Sequence, residues 1–109
     1  MAGPTPRALF RRGNATGPRL DYIRAGIDVA TFVRDGIEWV LSRSGGVSTF
    51  SRNPPPGSGR VWRLDAGSDY PDILFLDNDH GDHWAWEPAA DTPISDYRAA
   101  LYNLGRRFY

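Results

Sequence analysis

The sequence predicts a single α+β domain, mostly antiparallel strands with one or two short helices. Three observations predict it. Short runs rich in β-branched and aromatic residues recur between clusters of Gly, Pro, Asn and Asp. Only the C-terminal stretch holds several large apolar residues at helical spacing. With 109 residues, 40% hydrophobic and 13% aromatic, the chain can build one core and has little to spare for another.

In chain order, residues 1–6 are rich in Pro and Gly and predict a loose lead-in. Residues 8–12 read as a first strand, stopped by Gly13-Asn14. Residues 18–26 fit loop and helix equally. Asp28 could cap a short helix over 29–34, with Gly36 as its stop. Residues 37–41 look like a strand, and Gly45-Gly46 breaks it before another at 47–50. Residues 53–59, Asn-Pro-Pro-Pro-Gly-Ser-Gly, form the clearest loop, because Pro removes donors and Gly frees the backbone. Strands follow at 60–64, 73–76 and 84–87, joined by acidic, turn-rich connectors at 65–72 and 77–82. Thr92 followed by Pro93 is a helix start, a hydroxyl cap ahead of Pro at the first helical position. Tyr97, Leu101, Leu104 and Phe108 then share one helix face, and Gly105 can end the helix. No repeat and no second domain is visible, so residues 1–109 read as one domain.

Net charge is zero but unevenly spread. Residues 1–63 hold ten Arg against four acids, a local +6, whereas residues 64–97 hold nine acids and no base, a local −9. All thirteen basic residues are Arg, whose planar fork grips phosphate or carboxylate at two points. That split favours an anionic ligand against the N-terminal half. There is no Cys, which removes disulfides and thiolate metal sites and fits a reducing compartment. No apolar run approaches the roughly 18 residues of a membrane span. The first seven residues lack the apolar core of a secretory signal. These features predict a cytoplasmic site of action, reached by a leaderless route if the protein is exported.

Two stretches concentrate chemistry. Residues 45–51, Gly-Gly-Val-Ser-Thr-Phe-Ser, supply small residues and hydroxyls where a ligand can approach closely. Residues 78–88 hold both histidines, and histidine alone titrates near neutrality unaided. On a strand, Trp84 and Trp86 would take one face, and His83, Ala85 and Glu87 the other. Asp79, His80, Asp82 and His83 offer metal ligands, but all four fall in one predicted tight turn. A preformed site draws its ligands from separate elements, so no metal is expected.

The order Leu9-Phe10-Arg11, then Gly45-Gly46-Val47-Ser48-Thr49-Phe50, then His83-Trp84-Ala85-Trp86-Glu87-Pro88 with Tyr97-Arg98, resembles the toxin domain of type VI secretion ADP-ribosyltransferase-like effectors. It is similar more widely to the ADP-ribosyltransferase superfamily. The resemblance spans most of residues 8–104 and rests on those three short motifs. It implies a small ADP-ribosyltransferase-like fold with a split β-core, a mono-ADP-ribosyltransferase activity with NAD as substrate, and neutralisation by a cognate antitoxin or immunity protein. By the resemblance Arg11, Ser48 and Thr49 bind the dinucleotide, Ser48 is catalytic, and His83 or Glu87 supplies the third catalytic group. The acceptor can be a protein, a nucleic acid or a small metabolite.

Two other classes fit parts of the sequence. Ten N-terminal Arg and two His suit a nucleic-acid-binding or RNA-cleaving module. Nine acids around those same histidines oppose it. A non-catalytic immunity or adaptor domain would use the charged surfaces alone.

Overall fold

A computed structural model describes residues 2–109. Among these residues, eight strands form two antiparallel sheets, followed by one helix: an α+β fold, as the sequence predicts. The larger sheet runs β5-β1-β4-β7-β6, from β1 (Leu9–Gly13), β4 (Val47–Phe50), β5 (Arg60–Leu64), β6 (Leu74–His80) and β7 (His83–Pro88). The smaller runs β2-β3-β8, from β2 (Thr31–Arg34), β3 (Ile37–Val40) and β8 (Thr92–Pro93). Helix α1 (Ile94–Gly105) follows β8 directly.

Strand alternation sorts the large sheet into an apolar and a polar face. Leu9 pairs with Leu64, Val47 with Trp86 and Leu76 with Trp86, so these side chains share the inner face. Tyr97, Leu101 and Leu104 of α1, all buried at the spacing read from the sequence, join the same core with Phe108. Trp86 and Tyr97 are wholly shielded from water, and the Tyr97 hydroxyl donates to the Trp86 carbonyl at 2.6 Å. Trp84 faces inward as well and packs against this core.

Gly46 shows why the second motif needs its glycines. A Cβ there would sit 2.0 Å from the Trp86 carbonyl oxygen, so any side chain would push β4 off β7.

Four local expectations are corrected. The helix over 29–34 is strand β2: Asp35 and Gly36, both at positive φ, make a two-residue hairpin turn into β3. Thr31, Phe32 and Val33 favour the pleated form, and Asp28 bonds the Arg24 amide and guanidinium instead of capping. The lead-in is held, not loose. Ala2 bridges to Tyr70, and Thr5 is buried with its amide on the Ser68 carbonyl and its hydroxyl on that of Asp65. Thr92 bonds backward to the Ala90 carbonyl, and Pro93 pairs with Trp39, so α1 starts one residue later without a hydroxyl cap. Residues 77–80, read as connector, continue β6 past a bulge to His80.

Candidate functional site

The charge split along the chain becomes a split across the sheet. Strands β5 and β1 come from the Arg-rich half and carry Arg60, Arg63, Arg11 and Arg12. Strands β7 and β6 come from the acidic half and carry Glu87, Asp77 and Asp79. The boundary falls between β4 and β7, where the two chemical motifs pair side by side.

Ser48 sits opposite Ala85 and Phe50 opposite His83, which turns Ser48 and His83 to the polar face. There the Ser48 hydroxyl lies 2.8 Å from His83 Nε2. His83 Nδ1 lies 2.6 Å from Asp79 Oδ1. An Nδ1–H donated to the carboxylate leaves Nε2 as acceptor for the Ser48 proton, a hydroxyl–imidazole–carboxylate relay. Burial works to raise the Asp79 carboxyl, but the hydrogen bond to His83 and the nearby imidazoles hold it below its ordinary value. Phe50 packs edge-on against His83 at 5.3 Å and fixes the ring from a second side.

Glu87 shares this face four residues on from His83 and is 7% exposed. Burial, then a hydrogen bond and charge repulsion from Asp77, push its carboxyl up to about 7, with Arg43 opposing. That value suits proton transfer near neutrality. It also sets a stability signature. The unfolded chain releases this proton near the ordinary Glu range while the folded chain keeps it to about pH 7. Stability contributed by the protonated form is therefore full below the unfolded value and falls as pH rises towards 7, by up to about 3 kcal/mol. Glu87→Gln should flatten that fall in urea titrations across the window. A wild-type slope retained in the variant would place the proton elsewhere.

Arg11 meets Ser48 by another route. Strands β1 and β4 pair only at Phe10 and Phe50, then part. Into the gap Arg11 sends its guanidinium, donating to the carbonyls of Ser48 at 2.7 Å and Pro18 at 2.8 Å, with a longer bond to Arg19. Burial lowers its pKa, partly offset by Asp28. A cleft of about 380 Å³ opens here, lined by Arg11, Tyr22, Arg24, Asp28, Val47 and Ser48. Its volume lies at the small end of ligand sites, roughly 300–1,000 Å³. His83 is not among the lining residues; it bonds the Ser48 hydroxyl on the polar face, whereas Arg11 bonds the Ser48 carbonyl.

Thr49 departs from expectation. It is fully buried on the inner face, with its hydroxyl donated to the Trp84 carbonyl at 2.8 Å and accepting from Trp86 Nε1 at 3.2 Å. It braces the core and has no surface to offer a ligand. His80 is exposed, as expected of a solvated residue, but its ring stacks on His83 at 5.0 Å. Two residues of this face take roles the sequence did not suggest: Asp79, there a candidate metal ligand, orients His83, and Asp77 adds to burial in raising Glu87. Both lie where β6 was read as a connector. The available signal was Gly81-Asp82 between two histidines, a turn pairing the residues on either side of it.

Compared with family models, curated proteins and solved structures, the chain gives no significant match in any of the three.

Proposed function

We propose that this domain is an NAD-dependent mono-ADP-ribosyltransferase-like toxin, held in check by a cognate immunity protein. The observation that carries the reading is the 2.8 Å contact between Ser48 Oγ and His83 Nε2, at the seam between a cationic and an anionic half-sheet. NAD has that same polarity, an anionic pyrophosphate joined to a cationic nicotinamide. The pyrophosphate would lie towards Arg11 and Arg24 at the cleft, and the nicotinamide ribose towards Ser48 and His83. Arg11 already spends three N–H groups on carbonyls, so its charge and two remaining donors are what a phosphate would meet.

In the reaction the nicotinamide–ribose bond breaks and its electron pair leaves with nicotinamide, which departs neutral. Positive charge develops on the ribose. Acceptor lone-pair density then closes on the ribose carbon, and the acceptor proton passes to His83 or Glu87. Ser48 holds a ribose hydroxyl, and the carboxylates of Asp77 and Asp79 favour the developing charge. Nicotinamide release by the purified chain, with and without cell lysate as acceptor source, tests the reading. Release no faster than from buffer in both arms would reject it.

A second reading has one observation in its favour: serine, imidazole and carboxylate stand in the order of a nucleophilic hydrolase. Ser48 lies mid-strand rather than on the sharp strand-to-helix turn that exposes such a serine in the α/β hydrolases. Covalent labelling of Ser48 by a fluorophosphonate would favour it. RNA cleavage fits less well: the two imidazoles stack in parallel, at 17°, on one carboxylate and leave no space between them for a phosphate.

A further inference from the structure

We propose that Asp79, His80 and His83 form a site for a divalent transition ion of the zinc type, whose occupancy reverses the Ser48–His83 hydrogen bond; the second half rests on the proposed function. The three ligand atoms all lie within 4.8 Å of one another. Both imidazoles point Nδ1 at the same oxygen, Asp79 Oδ1, at 2.9 Å from His80 and 2.6 Å from His83. The ligands come from two elements, not one turn. Asp79 and His80 end β6 and His83 begins β7, across Gly81 and Asp82. Two imidazoles and a carboxylate with one direction left for water make the donor set of an open zinc site. Imidazole also selects zinc-like ions over magnesium or calcium.

The surroundings suit a cation. The segment 64–97 carries nine acids and no base. Arg52 pairs with Asp82 at 3.2 Å, not with Asp79. Ser48 fixes the far nitrogen of His83, the outer hydrogen bond that orients metal-bound imidazoles. His80 has an exposed side chain and can close on an ion without disturbing the core.

Occupancy has a definite consequence for Ser48. A metal takes the lone pair of His83 Nδ1, so the neutral ring must carry its hydrogen on Nε2. Nε2 then donates to the Ser48 hydroxyl instead of accepting from it, and His83 can no longer take a proton. The ion would act as an off-switch, set by metal supply.

Calorimetric titration of the metal-free chain with zinc chloride tests the site. One equivalent should bind per chain, and His80→Ala should weaken binding at least about 10-fold. No zinc uptake, or equal uptake by the variant, overturns the site. Long-range nitrogen–proton NMR of the imidazoles reads the second half without any turnover: the His83 hydrogen should move from Nδ1 to Nε2 as zinc is added. A hydrogen that stays on Nδ1 with zinc bound overturns the switch. Should the chain release no nicotinamide at all, these two measurements still decide the site and leave only the enzymatic reading rejected.

Discussion

His83→Ala is expected to lower the rate of nicotinamide release by about 10²–10⁴-fold, the usual worth of a positioned acid–base group. The loss should fall on kcat, because the cleft proposed for the dinucleotide is lined by Arg11, Tyr22, Arg24 and Ser48 among others and would remain. His80→Ala, one ring away and exposed, should leave metal-free turnover near wild type. Ser48→Ala should resemble His83→Ala, since each is the other's hydrogen-bond partner at 2.8 Å. The double variant should then cost little more than either single one, as coupled residues do. Growth on expression in a naive host gives the cellular readout. Full toxicity of both single variants would remove the proposed catalytic pair.

Trp86→Ala is expected to have the largest effect on stability. Its ring is wholly buried, packs edge-on against Tyr70 at 5.0 Å and donates Nε1–H to Thr49. Truncation leaves a ring-sized cavity and one unpaired hydroxyl acceptor, at a cost of about 3–5 kcal/mol. Domains of this size commonly hold roughly 5–15 kcal/mol in all. The melting temperature should therefore drop by about 12–40 °C, at about 4–8 °C per kcal/mol for a chain of this length. Trp86→Phe, which keeps an aromatic ring and loses the N–H donor, should give a clearly smaller drop in the same thermal melt. Equal melting of Trp86→Ala and wild type would mean that the β4–β7 seam is not the centre of the core.

Trp86 and His83 stand three residues apart on one strand, and their separation into core and site was legible in the sequence. Alternation puts His83, Ala85 and Glu87 opposite Trp84 and Trp86 without any knowledge of neighbours. The C-terminal helix was legible for the same kind of reason, a period that only one buried face explains. Strands at 47–50 and 60–64 stood out because glycine and proline punctuate them. Reading Thr49 as a ligand contact failed on parity: it faces the side of Trp84 and Trp86, and the hydroxyl type alone carries no direction. The β2–β3 hairpin was misread because Asp35-Gly36 signals both a helix stop and a tight turn. Only the partner strand separates the two.

Composition and periodicity by themselves determined the α+β class, the core face of the helix, the two chemical stretches and the charge polarity of the chain. These are local properties, set by side-chain type and by the repeat of the backbone. Tertiary structure alone decided that β4 lies between β1 and β7, and so that Ser48 bonds Arg11 through its carbonyl and His83 through its hydroxyl. It also decided that Asp79 orients His83 and that burial, with Asp77 beside it, raises the Glu87 carboxyl. Strand order and register depend on which hydrophobic faces bury one another, and no single segment of sequence contains that information.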